Sequence, residues 1–234
     1  MTPTEEEKFH HEFSTNVRAL ESARKKVNSQ INMFLRKDDD FSVYLYTKIY
    51  ALLYFAWTEA NLVKLVHTPY GFDLAEKKFI LKDRDVIVKW KRCISTAFKK
   101  FKIEGSDIPN KKLQINRLIK NYLDTQAKIR NKVAHGQWIN PLFSNNLSFD
   151  PDIKIQMELI TVIEIDLWFE IAKELIEIVR GLIDAKHRNN LIAHYNEYYT
   201  RLSSIQNIID ERKKWTIDEK KRKLKLKPIK QIKE

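Results

Sequence analysis

The stretch FSVYLYTKIYALLYFAWTEANLVKLVH, residues 41–67, constrains the fold more than any other part of the chain. As a helix it makes about seven turns, with apolar side chains pointing in nearly every direction around its axis. A helix without a polar stripe has to be enclosed by its neighbours, so the predicted fold is all-α, an up-and-down helical bundle with this helix at its centre. Lys48, Glu59, Asn61 and Lys64 interrupt the apolar run, and its tyrosines are scattered instead of gathering at two ends. It is therefore expected to be buried in protein and not to cross a membrane.

Hydrophobic spacing places further helices around it. Phe9, Phe13, Val17, Leu20, Val27, Ile31 and Phe34 define a first helix from about Thr4 to Leu35, with Thr4 and Glu7 fitting a capping box. Lys37-Asp38-Asp39-Asp40 forms a polar turn whose last Asp is expected to cap the central helix, which ends near Thr68-Pro69-Tyr70-Gly71. The charged segment from Asp73 to Asp85 is expected to be irregular, or a short strand through Phe79-Ile80-Leu81. Ile87, Trp90, Ile94, Ala97 and Phe101 mark a third helix, and IEGSDIPN ends it. A fourth spans about Lys111 to Ala134, followed by a loop from Gly136 to Asp152 with a strand-like turn at Leu147 to Phe149. One long fifth helix covers Ile153 to Ala185 and a sixth Leu191 to Lys213. The expected organisation is a bundle over 1–185, an additional helix packed on or extending it over 186–213, and a disordered or loosely docked basic tail over 214–234.

Composition removes several function classes. Four glycines leave no Gly-rich phosphate loop, which excludes P-loop NTPases and Rossmann dehydrogenases. The single cysteine, Cys93, forms no intramolecular disulfide and no Cys-rich zinc site, and no HxxxH spacing occurs; no metal or cofactor is expected. The opening MTPTEEEKFHHEF is acidic and polar where a secretion signal is basic and then apolar, so the expected location is the cytoplasm. The net charge of +12 points to an anionic partner. From Arg212 to Glu234 there are 11 Lys/Arg and 3 Asp/Glu, so most of the excess lies in the tail. Lys220, Lys221, Arg222 and Lys223 there, and Lys132 in the body, are the candidate RNA-binding cations; the tail can equally be a solvated surface.

The sharpest local feature is AKIRNKVAHGQW, residues 127–138, where Arg130 and His135 flank Asn131-Lys132-Val133-Ala134 at a helix end. Five residues apart, they lie roughly 140° apart around a regular helix, and a fraying last turn or a glycine cap at Gly136 can bring them together. A histidine titrating near neutrality can give or take a proton, and a guanidinium can hold a phosphate through two hydrogen bonds. These groups suffice to cleave RNA without a metal: a base takes the 2′-OH proton, the oxygen attacks the adjacent phosphorus, and an acid protonates the departing 5′-oxygen. An Arg and a His near a helix end also serve as capping or surface residues with no chemistry.

The longer string YLDTQAKIRNKVAHGQW resembles the signature of the HEPN superfamily, all-helical domains carrying Arg, commonly followed by Asn, and then His four to six residues on. The surrounding helices agree over roughly residues 5–185, although the specific part is about eight residues long. The resemblance implies a metal-independent endoribonuclease of toxin–antitoxin, abortive-infection or phage-defence type. Arg130 would contact the scissile phosphate, His135 would be the acid/base and Asn131 would orient them. It further implies RNA as substrate, a homodimer that supplies a second Arg/His pair, and a neutralising antitoxin or defence-system partner. Some family members lack catalysis, so the alternative is a HEPN-like RNA- or protein-binding regulatory module.

Glu59 is the second candidate, because an ionisable group within so apolar a helix needs a partner such as Arg130. In some HEPN nucleases a similar acidic residue joins the Arg and His; a structural ion pair or a Glu reaching solvent are the other readings. The pattern recurs in AKHRNNLIAHYNEYY, where Arg188 and His194 form a possible second Arg/His pair or a basic helix surface.

Overall fold

Helix α1 (Glu5–Arg36) starts at a capping box, with the Thr4 side chain accepting from Glu7 N and the Glu7 carboxylate accepting from Thr4 N. In the computed structural model, which describes residues 4–99, 107–188 and 191–226, it packs antiparallel against α2 (Asp40–Val66). The remaining helices are α3 (Leu74–Leu81), α4 (Val86–Phe98), α5 (Asp107–Ile119), α6 (Thr125–Ala134), α7 (Pro151–Leu159), α8 (Val162–Arg188), α9 (Leu191–Arg212) and α10 (Ile217–Leu226). Among the described residues the fold is all-α, and the only β pairing is a single bridge between Leu142 and Phe149.

Helix α2 is central because most of its side chains need cover, although Phe41, Tyr44 and Ile49 stay exposed and the expected enclosure is incomplete. It touches α1, α4, α6 and α8. On one face Tyr50, Tyr54 and Trp57 surround Phe169 of α8, with ring centroids 5.2, 5.0 and 5.3 Å away. The Arg24 guanidinium of α1 lies 5.0 Å from the same ring. Burying a phenylalanine fully contributes about 1.5–3 kcal/mol, so this cluster ties α1, α2 and α8 together. The polar residues of α2 are satisfied within the helix or by a neighbour. Thr58 Oγ1 donates to Phe55 O and Asn61 Nδ2 to Trp57 O, while buried Lys48 donates to Met157 O at 2.7 Å beside the Tyr44 ring. Burial pushes the Lys48 ammonium below its ordinary pKa.

Four elements differ from the sequence expectation. The N-cap of α2 is Asp39, whose carboxylate accepts from Ser42 N, one residue before the expected Asp40. The segment through Phe79-Ile80-Leu81 is helical, since Asp73 and Glu76 form a capping box that starts α3. The long fifth helix is two, α7 and α8, because Ile160 turns extended and Thr161 with Glu164 opens a new capping box. The fourth helix is interrupted by a π-helical turn at Lys120–Asp124. This wider turn keeps Leu123 on the buried face between Ile119 and Ile129.

Of the two expectations for the basic tail, its first part follows docking and not disorder, and it is helical. Residues 217–226 form α10, which lies against α1 with Ile217 and Leu224 packed on the core. Its lysines meet acids near the α1–α2 turn and on α8: Lys220 pairs with Asp166 at 2.9 Å, Lys221 with Asp40 at 3.0 Å and Lys225 with Asp38 at 2.6 Å. Compositional bias predicted disorder because it ignores these acids. The rest of the tail, from Lys227 onward, lies outside the described residues.

Candidate functional site

Helix α6 reaches the site through its apolar face. Ile129 and Val133 pack with Ile153 and Met157 of α7 and with Leu52 of α2, forming a small core separate from the main one. Fixing Ile129 and Val133 inward turns the neighbouring Arg130 along α2. Its guanidinium carbon sits 4.2 Å from the Phe55 ring centroid, and Nη2 lies 3.5 Å from Glu59 Oε2. Phe55 and Glu59 are four residues apart on α2, so one face of that helix supplies both the ring beneath the guanidinium and the acid beyond it. Arg130 Nη1 donates to Asn131 Oδ1 at 3.0 Å. The Arg130 and Glu59 side chains are 33% and 39% exposed, so their pair is a weak one, on the order of 0.5 kcal/mol. Glu59 does both things that the sequence left open: it meets Arg130 and it opens on a groove between α1 and α2 lined by Phe13, Asn16 and Val63.

His135 caps α6. Its backbone N–H donates to Asn131 O, while Gly136 at φ 77° and Gln137 fold back onto Val133 O and Lys132 O, closing a Schellman motif. Only this left-handed glycine lets the chain leave the helix sharply enough to return across its end. The following loop is tied down at many points. Trp138 Nε1 donates to Val133 O, Tyr44 Oη donates to Trp138 O, Leu142 N donates to Gln137 Oε1, and Lys132 Nζ donates to Leu142 O. Phe143 N donates to Ser148 O and Asp150 N to Pro141 O, which makes a small hairpin whose turn contains Asn146 at φ 57°.

Helix end and hairpin enclose an open cleft of about 630 Å³, lined by Lys128, Asn131, Lys132, His135, Gln137, Phe143, Ser144 and Asn146. Two lysines and a histidine face it and no carboxylate lines it, so it is suited to an anion. Asn131, Lys132 and His135 thus share one cleft. Arg130 does not line it; it is joined to the cleft through Asn131 and to α2 through Glu59.

The second motif is not described in side-chain detail: α8 ends at Arg188 and α9 begins at Leu191, and the Arg188 and His194 side chains lie outside the described residues. Of the tail cations, Lys220 and Lys221 are paired with acids, Lys223 Nζ lies 4.0 Å from the Trp215 ring centroid, and Arg222 is exposed. None of the four lines the cleft. Sequence reasoning missed Lys128, Gln137, Phe143 and Asn146. The Gly136 turn and the asparagine-rich hairpin were the signals that the loop folds back over the motif. Among the described residues no three His, Cys, Asp or Glu side chains gather as metal ligands, and no helix is long and apolar enough to cross a membrane. Comparison with protein families, with curated proteins and with solved structures returns no match.

Proposed function

We propose that this chain is a metal-independent endoribonuclease of HEPN type, acting as a homodimer in a toxin or phage-defence setting. The observation that carries the reading is the end of α6. There Arg130 is held by Phe55, Glu59 and Asn131, and His135 opens onto a cleft rich in cations and amides. His135 serves as the acid/base, Arg130 steadies the charge building on the phosphate, and Asn131 links the two. Lys132 and Lys128 attract the backbone. The products are a 2′,3′-cyclic phosphate and a 5′-hydroxyl.

One histidine cannot be base and acid at once in an in-line cleavage, so a homodimer that brings two Arg130/His135 pairs together supplies the second proton-transfer group. The test is cleavage of labelled RNA by the purified chain in EDTA. His135→Ala lowers the rate by about 10²–10⁴, and His194→Ala leaves it in place. Mixing equal amounts of His135→Ala and the unchanged chain leaves roughly a quarter of the activity of the same total of unchanged chain, because only a quarter of the dimers keep both pairs. Absence of cleavage, or its survival in His135→Ala, defeats the reading.

One observation favours a second reading, a non-catalytic module that holds RNA or a protein. Arg130 is already engaged by Glu59 and Asn131 and stands outside the cleft. In that case RNA is retained intact, and Arg130→Ala changes stability more than binding.

A further inference from the structure

The cleft beside His135 carries more than a cationic lining. Asn131 Oδ1 accepts from the Arg130 guanidinium, a group that can only donate, and Gln137 Oε1 accepts from the backbone N–H of Leu142 at 2.8 Å. Both amide orientations are therefore dictated by their partners, and in both the oxygen is the atom engaged. What these two side chains have left to offer is the NH₂ group. Phe143, 44% exposed, stands on the hairpin at the rim of the same cleft. The hairpin beneath it is fixed by the Leu142–Phe149 bridge and by Phe143 N donating to Ser148 O. Lys128 and Lys132 add cations to the lining: Lys128 is held only by a long, exposed pairing with Asp124 at 4.0 Å, and Lys132 Nζ keeps donors beyond the one given to Leu142 O. At about 630 Å³ the space lies within the roughly 300–1,000 Å³ that ligand clefts occupy.

An exposed ring, two amide donors, flanking cations and no carboxylate form a set that suits one ligand chemistry. We propose that this cleft holds an unpaired nucleotide next to the cleaved bond and prefers a base with a carbonyl-rich edge, uracil or guanine, over adenine or cytosine. The base stacks on Phe143, its carbonyl oxygens accept from Asn131 Nδ2 and Gln137 Nε2, and the flanking phosphate meets Lys128 and Lys132. The exocyclic amino groups of adenine and cytosine would turn donors toward donors, which is what discriminates against them. The proposal rests on the RNA reading above and adds a substrate class to it.

The experiment measures binding of the full chain to fluorescein-labelled single-stranded 2′-O-methyl oligonucleotides, which lack the attacking hydroxyl, of U, A and C, and of A carrying one central G, with thermal melting to show that each variant folds. U binds more tightly than A or C and the G-containing strand more tightly than A alone, and Phe143→Ala weakens both by roughly 5- to 150-fold. Gln137→Glu removes the donors while keeping the acceptor for Leu142 N. It shifts the ratio of U to A or C binding toward A and C by about tenfold or more, whatever its added charge does to overall affinity. Lys128→Ala weakens all strands alike and leaves the ratio unchanged. Binding without base preference, or a ratio unmoved by Gln137→Glu and Phe143→Ala, overturns the inference while the RNA reading stands. Failure to bind any strand overturns both.

Discussion

The buried hydroxyl of Tyr54 makes the most demanding test of how α6 is positioned. Tyr54 is fully buried in α2, and its hydroxyl donates to Tyr122 O at 2.6 Å, inside the π-helical turn between α5 and α6. Burial pushes its pKa well above the ordinary tyrosine value, so the hydroxyl keeps its proton and remains a donor at every accessible pH. Tyr54→Phe preserves the ring contacts with Phe169 and Trp168 but deletes the donor. The lost bond contributes about 1 kcal/mol, and an acceptor left without its partner inside the protein adds roughly as much again, for a total of about 2 kcal/mol. For a chain of this size that lowers the melting midpoint by roughly 4–8 °C.

The same substitution reaches the candidate site. Returning the π turn to α geometry rotates α6 by up to about 100° relative to α5, which would carry Arg130 away from Phe55 and Glu59. Calorimetry gives the stability change, and hydrogen exchange of the α6 amides reports whether the helix has loosened. RNA cleavage or binding should fall further than stability alone accounts for. A midpoint shift below about 1 °C, the size of an ordinary surface substitution, refutes the claim that this hydroxyl supports the turn.

Three further outcomes follow from the packing. Gly71→Ala places a Cβ 2.6 Å from Ile183 Cγ2 and 3.1 Å from Thr68 O, and because Ile183 is fully buried the clash destabilises by about 1–3 kcal/mol, read as a lower denaturant midpoint. His67 ends α2 with its ring 4.8 Å from Phe13; burial first, then Lys77 and His10, push its pKa down against the opposing pull of Glu6. A histidine whose folded pKa lies below its unfolded value binds more protons when unfolded, so stability is full above about pH 6.5 and falls as the solution is acidified through the folded pKa. His67→Phe should flatten that part of the stability–pH curve, and an unchanged slope counts against the assignment. Finally, trypsin should cut α10 earlier at about 1 M salt than at low salt, since Lys221 and Lys225 are held to exposed Asp38 and Asp40, while α1 to α8 stay resistant. Equal cutting at both salt levels, followed by mass spectrometry, shows that apolar contacts hold α10 instead.

The central position of α2 was legible in residues 41–67 because a helix with no polar stripe has few places to go. The start of α1 follows local chemistry as well, whereas that of α8 was missed because an apolar stripe runs through its Thr161–Glu164 box. Helix α3 was harder: Phe79-Ile80-Leu81 has strand-like composition, and the helix is decided by Asp73 and Glu76 several residues earlier. At the site, the Arg130–Glu59 approach could be anticipated from the discomfort of an acid in an apolar helix. The cleft could not, because it exists only once Gly136 reverses the chain and Gln137, Trp138 and Lys132 tie the loop back over α6.

Charge had the same history. The total of +12 treats every lysine as available to an anion, yet Lys220, Lys221 and Lys225 each already face a carboxylate. Asp166 makes the point most clearly: it takes Lys220 at 2.9 Å while accepting from Tyr50 Oη at 2.8 Å and Asn28 Nδ2 at 2.7 Å, three donors on one carboxylate. A polyanion drawn to α10 would have to displace these acids, so each such contact returns less than a free cation would. In the cleft beside His135 the competition is weaker: none of the lining residues is acidic, Lys128 has only a long, exposed pairing with Asp124 at 4.0 Å, and Lys132 donates to the neutral carbonyl of Leu142. Two cations next to an acid/base group therefore weigh more for RNA than the larger number gathered in the tail, and the salt dependence of binding should reflect a few phosphates at the cleft in place of a dozen along the chain.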